Sequence, residues 1–104
     1  MIDFDRIDGF EWDDGNRRKS EDKHDVAQAE AEQIFFNRPL LMLDDVTHSA
    51  AEPRFLALGR TDAGRHLFVA FTLRQGGRQD GTKIRVISAR DMNRKERTRY
   101  ASQS

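Results

Sequence analysis

The chain has 104 residues, no Cys, and 18 Lys or Arg residues against 18 Asp or Glu residues, so its formal net charge is zero. This length predicts one domain over residues 1–104, in which residues 1–9 form an N-terminal extension whose structure the sequence leaves open. The lack of Cys excludes disulfides and thiolate metal sites, and no apolar run approaches the roughly 20 residues that span a bilayer. The acidic N-terminus is unlike a signal peptide, so we expect a cytoplasmic protein without membrane contact.

The balanced total charge conceals two halves of opposite sign. Residues 1–53 carry six Lys and Arg against fourteen Asp and Glu, a net charge of −8, whereas residues 54–104 carry twelve against four, a net charge of +8. A basic half favours binding to phosphate groups or to an acidic partner, and an acidic half can cover it or bind a basic partner. Charge pairing within the fold is the alternative, and the sequence leaves both open.

A short strand and a polar helix are predicted first. Residues 10–12 alternate apolar and polar side chains as a strand does, and Trp12 is expected to be buried in the core. Asp13 or Asp14 can cap a helix that runs to about Lys23. Because most of its side chains are polar, this helix must lie on the surface.

A second helix is predicted to begin at Asp25, because Gln28 three residues later suits a capping box. Its apolar stripe consists of Ala27, Ala31, Ile34 and Phe35. The dipeptide Arg38-Pro39 ends the helix, since the residue before a proline disfavours helical backbone.

The second half of the chain predicts four strands. They cover residues 40–43, 54–59, 65–74 and 83–90. Polar loops occupy residues 44–53 and 75–81, and a turn occupies residues 61–64. Consecutive strands joined in this way imply an antiparallel sheet. The predicted fold class is therefore α+β, a small antiparallel sheet packed with two N-terminal helices and one C-terminal helix.

The last strand and the helix after it hold the densest positive charge, with seven Lys or Arg among residues 83–100. Strict alternation places Ile84, Val86 and Ser88 on one face of the strand and Arg85, Ile87 and Ala89 on the other. Asn93 and Glu96 have capping-box spacing at the start of the final helix. Arg90, at the end of a buried strand, must find an anion, which can be a carboxylate, a helix-end carbonyl or a phosphate.

Several short motifs occur in a fixed order along the chain. They are Phe10-Glu11-Trp12-Asp13, Lys23-His24, Glu52-x-Arg54-Phe55, Gly59, Gly64-Arg65-x-Leu67, Phe71-Thr72-x-Arg74, and the strand 84–90 followed by Lys95-Glu96-Arg97 and Tyr100. The series resembles the BrnT family of bacterial toxins over about residues 10 to 100. Each motif is short, and it is their order that makes the resemblance specific.

Three positions depart from the family pattern. Asn16 stands where the family has Lys four residues after the Trp, with Arg17 beside it. Ser20 stands where Asn is usual, and Asp25 stands where Gly usually follows the Lys-His pair.

The resemblance implies a compact relative of the RelE toxin fold and a ribonuclease toxin of a type II toxin–antitoxin system, which cleaves RNA to inhibit translation. It further implies neutralisation by a cognate ribbon-helix-helix antitoxin similar to BrnA. The chain itself would contact DNA only indirectly, through that antitoxin. The alternative function is a non-catalytic binding module that acts as antitoxin partner or co-repressor. The departures at Asn16, Ser20 and Asp25 favour this alternative.

Metal-free RNA cleavage needs a base for the 2′-hydroxyl proton, an acid for the leaving 5′-oxygen, and cations that stabilise the phosphorane. The candidate catalytic residues are Lys23, His24, Glu52, Arg54 and Arg90, and the candidate RNA-binding residues are Arg65, Arg85, Arg94 and Arg97. The three His, at positions 24, 48 and 66, lack close ligand spacing, so neither a metal site nor another cofactor is predicted.

Structural roles compete with these assignments. His24 is predicted at a helix C-terminus, where a cation is favourable in itself. Glu52 can pair with Arg54, and Glu96 can act as a helix cap or as the partner of Arg90. Arg90 can therefore contact phosphate or form an internal salt bridge.

Overall fold

The computed structural model describes residues 7–12, 14–44, 53–75 and 82–103. The elements, in chain order, are β1 Ile7–Glu11, α1 Asp14–His24, α2 Gln28–Gln33, β2 Leu41–Asp44, β3 Arg54–Arg60, β4 His66–Gln75, β5 Thr82–Asp91 and α3 Arg94–Ala101. A 3-10 turn, Ile34–Phe36, directly follows α2. None of the helices in these ranges is long and apolar enough to cross a membrane.

The strands among the described residues form one sheet in the order β1-β5-β4-β3-β2. The pairs β2–β3, β3–β4 and β4–β5 are antiparallel, as short connections require. In contrast, β1 pairs with β5 in parallel, which makes the sheet mixed. The predicted α+β class is confirmed, but the prediction of a wholly antiparallel sheet was wrong for β1. No hairpin joins β1 to β5, so nothing local fixes its direction.

The main core lies between one face of the sheet and the segment formed by α2 and the 3-10 turn. Phe71, Ile84 and Val86 from the sheet are fully buried there with Ile34 from the turn. Each such side chain contributes about 1.5–3 kcal/mol by leaving water. The turn approaches β3 so closely that a Cβ atom at Gly59 would lie 2.8 Å from Cβ of Ile34. This sheet surface is the core face.

A β-bulge in β5 changes which side chains share a face. Ala70 pairs with Ser88 whereas Phe71 pairs with Val86, so Ile87 is the extra residue. The predicted alternation was therefore wrong for two residues: Ala89 is buried on the core face, and Ser88 lies on the opposite face. A strictly alternating pattern cannot anticipate an inserted residue. The bulge also directs Arg90 to the same face as Arg85.

The opposite face, here called the α3 face, has a smaller apolar cluster at one end. Met92 and Tyr100 pack there with Leu58 and Phe68, and the Tyr100 hydroxyl donates a hydrogen bond of 2.6 Å to the carbonyl of Pro39. The eight residues of α3 span about 12 Å, while the ten residues of β4 span about 33 Å. The helix is thus too short to cover the whole face.

The junction between α1 and α2 differs from its prediction. Asp25 does not begin the second helix, because its φ of 53° places it in the left-handed region just after α1. The helix α2 instead starts after Ala27, whose N–H donates to the Glu30 carboxylate over 3.1 Å. Glycine is favoured at a positive φ, and Asp tolerates it better than most residues. A glycine at this position would therefore adopt the backbone conformation without strain.

Trp12 is partly buried against the core rather than wholly enclosed. Its Nε1–H donates a hydrogen bond of 3.0 Å to the Glu32 carboxylate of α2. The prediction of a buried Trp12 is therefore confirmed only in part, since the side chain packs against the core without being enclosed by it.

Candidate functional site

The α3 face carries a row of polar residues that crosses four strands. Arg54 of β3 pairs with Thr72 of β4, Thr72 pairs with Arg85 of β5, and Arg85 pairs with Glu11 of β1. Directly paired residues point to the same face, and strands lie about 4.8 Å apart. The α-carbons of the two arginines are therefore about 10 Å apart, a separation that two Arg side chains can close around one anion.

Two further cations extend this row. Arg74 pairs with Lys83 on the same face, two residues along each strand from the pair of Thr72 and Arg85. The name basic end is used here for the four residues Arg54, Arg74, Lys83 and Arg85. Thr72 in their midst is 1% exposed, and its hydroxyl donates to the carbonyl of Pro53 over 2.6 Å. That hydrogen bond ties the start of β3 to β4 and so fixes the place of Arg54.

The ion pair within this row is weak. Nη1 of Arg85 lies 3.4 Å from Oε1 of Glu11, and the Glu11 side chain is 41% exposed. Exposed pairs of this kind are worth about 0–1 kcal/mol. A phosphate group can therefore displace Glu11 from Arg85 at small cost.

Arg90 has much stronger partners. Its Nη1 and Nη2 donate to the two carboxylate oxygens of Glu96 over 2.8 and 2.9 Å, and its guanidinium lies 4.0 Å from the centre of the Phe68 ring. Burial disfavours the charged carboxylate of Glu96, yet hydrogen bonds from Arg90 and from the Asn93 N–H outweigh it and hold the pKa of Glu96 below its usual value. The charge of Arg90 is thus already neutralised inside the fold.

Asn93 and Glu96 form the predicted capping box at the start of α3. The Glu96 N–H donates to Oδ1 of Asn93 over 2.8 Å, and the Asn93 N–H donates to the Glu96 carboxylate over 2.9 Å. Both structural roles proposed for Glu96, helix cap and partner of Arg90, are therefore confirmed by the geometry.

Arg65 joins three elements on the core-face side of the sheet. It donates to the Asp91 carboxylate from Nε over 2.7 Å and from Nη2 over 3.0 Å. Its Nη1 donates to the carbonyl of Asp25 over 2.7 Å and to Glu30 over 3.2 Å, and Nη2 also donates to the carbonyl of His24 over 3.2 Å. All five N–H groups are engaged, so Arg65 has a structural role and is not retained among the proposed RNA contacts.

Lys23 and His24 end α1 near this same cluster. The pKa of Asp91 lies below its usual value chiefly because of the hydrogen bond from Arg65, with smaller contributions from the charges of His24 and Arg97. Asp91 is six residues from Arg85 on β5, which corresponds to about 20 Å along the strand. The predicted catalytic pair Lys23-His24 therefore lies at the other end of β5 from Arg85, and the two sets do not converge.

The remaining candidates lie on the surface or outside the described ranges. Arg94 and Arg97 are exposed on α3, together with Lys95 and Arg99. Glu52 falls outside the described residues. In those that are described, no group of three or more His, Asp or Glu could hold a metal ion.

Four residues of the site were not singled out from the sequence: Arg74 and Lys83 of the basic end, Thr72 between its arginines, and Phe68 beneath Arg90. Thr72 and Arg74 do belong to one of the ordered motifs, Phe71-Thr72-x-Arg74. Their signal was period-2 spacing on a long strand, which puts both on one face. Phe68 gave no such signal, since an aromatic residue in a strand is usually part of a core.

Comparison with protein families places these residues in a known context. The family model described as the ribonuclease toxin BrnT of a type II toxin–antitoxin system matches residues 12–96. No curated protein matches the chain. The matched segment includes every residue of the basic end as well as Phe68, Arg90 and Glu96. With most of its length covered by that match, the chain belongs to the BrnT family of ribonuclease toxins of type II toxin–antitoxin systems.

Proposed function

We propose that this chain is an endoribonuclease that cleaves RNA to inhibit translation, with the basic end as the site that holds the scissile phosphate. The observation that carries the proposal is the row in which Arg54 and Arg85 flank Thr72 on one sheet face. Two arginines on one sheet face, one on each side of Thr72, suit the extra negative charge of a phosphorane better than that of a ground-state phosphodiester. The family membership supplies the substrate class.

The proposed reaction uses the substrate's own nucleophile. A base removes the proton of the 2′-hydroxyl, the 2′-oxygen forms a bond to phosphorus, and the bond from phosphorus to the 5′-oxygen breaks. An acid then protonates the departing 5′-oxygen. The products are a 2′,3′-cyclic phosphate and a 5′-hydroxyl, and no divalent metal is consumed or required when arginines balance the charge.

Glu52 is proposed as the base, because it stands two residues before Arg54 in the sequence. His24 is the competing candidate, but it neighbours Asp91 and Arg65 instead of the basic end. The variants Glu52→Gln and His24→Gln separate the two. We expect the first to lower kcat by at least 100-fold and the second to leave it within a few-fold of the parent.

We further propose that a ribbon-helix-helix antitoxin similar to BrnA neutralises the toxin by covering its basic surface. The exposed Arg94 and Arg97 of α3 would pair with acidic side chains of that partner, as would the basic end. RNA and antitoxin would then compete, and DNA would be reached only through the antitoxin.

Incubation of the purified chain with single-stranded RNA in EDTA tests the proposed activity. We expect cleavage with 2′,3′-cyclic phosphate or 3′-phosphate ends, and no cleavage of an all-2′-deoxy oligonucleotide. Activity that EDTA abolishes and magnesium restores would contradict the proposed mechanism.

A second candidate function is a non-catalytic binding module that serves as antitoxin partner or co-repressor. The position of His24 near Asp91 favours it, because Asp91 lies about 20 Å along β5 from Arg85 and the two sets of groups are therefore not placed to act on one phosphate. Tight binding of RNA or antitoxin without cleavage under any metal condition would support this second function.

A further inference from the structure

Phe68, Arg90 and Glu96 form a layered unit on the α3 face. The guanidinium of Arg90 lies 4.0 Å from the centre of the Phe68 ring, and two of its nitrogens donate to Glu96. Nη1 also donates to the carbonyl of Asp91 over 3.0 Å. The Phe68 ring thus supports one side of a guanidinium whose edge is held by hydrogen bonds.

This unit is fixed in place from both sides. Phe68 belongs to the middle of the sheet, where β4 pairs with β3 and β5. Glu96 is held by the capping box with Asn93 at the start of α3. A planar group that is anchored to a strand and to a helix terminus is preorganised. The protein therefore loses little conformational entropy when a ligand binds to it.

The pairing determines what kind of ligand the unit can take. The Arg90 charge is balanced by a carboxylate that is only 18% exposed, so an incoming phosphate or acidic side chain would have to displace a tight bidentate pair. The contact between Arg85 and Glu11, at 3.4 Å and with the Glu11 side chain 41% exposed, is looser than this pair. The part of Arg90 that a ligand can contact is the flat face of its guanidinium opposite Phe68, on a side chain that is 34% exposed. The complementary ligand is flat, polarisable and uncharged, which describes a nucleobase and not an acidic peptide.

We propose that the Phe68–Arg90–Glu96 unit is a base-stacking platform, on which one unpaired base of the bound RNA lies against the outer face of Arg90. Guanidinium planes are known to stack nucleobases in single-stranded RNA. Phe68 is four residues from Thr72 on β4, about 13 Å along the strand, so one RNA segment can reach the platform while its scissile phosphate occupies the basic end. The assignment rests on the proposed function, because it takes RNA as the ligand.

Binding of a short 2′-O-methyl oligoribonucleotide, which cannot be cleaved through its 2′-oxygen, tests the platform. Single abasic nucleotides are placed at each position in turn, and Kd is measured with the full chain. One position near the scissile linkage is expected to weaken binding about 10-fold, an effect of the size that the loss of one stacked base produces. An affinity that changes less than 2-fold at every position overturns the platform.

The variant Arg90→Lys keeps the charge and can keep a salt bridge to Glu96, but it removes the planar group. We expect it to bind the intact RNA about 10-fold more weakly, to show no further loss with the sensitive abasic RNA, and to keep the parent's dependence of Kd on salt. Arg38→Lys, on an exposed arginine of the acidic half to which no binding role is assigned, is the matched control and should bind within 2-fold of the parent. Should Arg90→Lys unfold below 37 °C, Phe68→Leu takes its place with the same expectations.

The outcomes separate this inference from the proposed function. Parent chain that binds no RNA contradicts the proposed function and the platform together. If Arg90→Lys binds RNA with an unchanged Kd, the platform alone is overturned. The same holds if Arg90→Lys is weakened only in its binding to antitoxin. A loss of affinity that is additive with the abasic loss also overturns it, because the base and Arg90 would then act independently.

Discussion

The replacement Arg65→Ala tests whether the hydrogen bonds of Arg65 hold α1, α2 and β5 together. The parent side chain donates to two carboxylates and to the carbonyl groups of His24 and Asp25. A hydrogen bond to a charged group contributes about 1.5–3 kcal/mol when shielded, but exposed carboxylates regain water when the arginine is lost. Because the Asp91 side chain is 60% exposed and that of Glu30 is 34% exposed, we expect a net loss of about 2–4 kcal/mol.

For a domain of this size, 1 kcal/mol corresponds to about 4–8 °C, so Arg65→Ala should melt at least about 8 °C below the parent. Arg65→Lys can satisfy at most three acceptors and should melt between the two. Arg94→Ala, on the exposed surface of α3, should stay within about 0.5 kcal/mol of the parent. Melting is followed by circular dichroism at neutral pH. An Arg65→Ala melting temperature within 2 °C of the parent would refute the structural role assigned to Arg65.

Three further changes test the packing, the helix junction and the cap by the same melting assay. Gly59→Ala should destabilise the protein by about 1–3 kcal/mol, because the added Cβ would meet Ile34 at 2.8 Å; an unchanged melting temperature would mean that the 3-10 turn can move away. Asp25→Gly should raise stability by about 0.5 kcal/mol by relieving a φ of 53°, and a lower melting temperature would contradict this. The pKa of Glu96 is lowered in the folded state, so its contribution is present above the unfolded pKa of about 4.3 and is lost as the pH falls below it. In Glu96→Gln, which removes the titrating group, we expect a loss of about 1 kcal/mol at neutral pH and a weaker stability decrease between pH 5 and pH 3 than in the parent, and an identical pH profile would argue against this role of Glu96.

Local patterns sufficed to predict part of this fold. The strand sequence 83–90, the helix after it and the Asn93–Glu96 cap follow from spacing within a few residues, and all three are present. The pairing of Arg90 with Glu96 was one of two open readings, since the sequence indicates only that a buried arginine needs an anion. These features depend on contacts between neighbours in the chain, which is why the sequence carries them.

Other features depend on contacts between distant residues. The partners of Arg65 lie 26 to 41 residues away along the chain, so no local pattern favours them over phosphate. The bulge at Ile87 and the parallel pairing of β1 are likewise settled by the packing of the whole sheet. The basic end escaped prediction as a unit because Arg54, Thr72 and Arg85 come from three strands and meet only through register.

Family membership leaves open which residues of this chain act on RNA, and the central claim is that Arg54 and Arg85 do so from one row. The most direct measurement is single-turnover cleavage of an oligoribonucleotide in EDTA by the parent, Arg85→Gln and Arg38→Gln. Arg38 is exposed and lies in the acidic half, so its replacement removes the same charge away from the basic end. We predict that Arg85→Gln cleaves at least 100-fold more slowly, as expected when a group that stabilises transition-state charge is removed, and that Arg38→Gln stays within 3-fold of the parent. Equal rates for folded Arg85→Gln and Arg38→Gln would contradict the placement of the phosphate at the basic end.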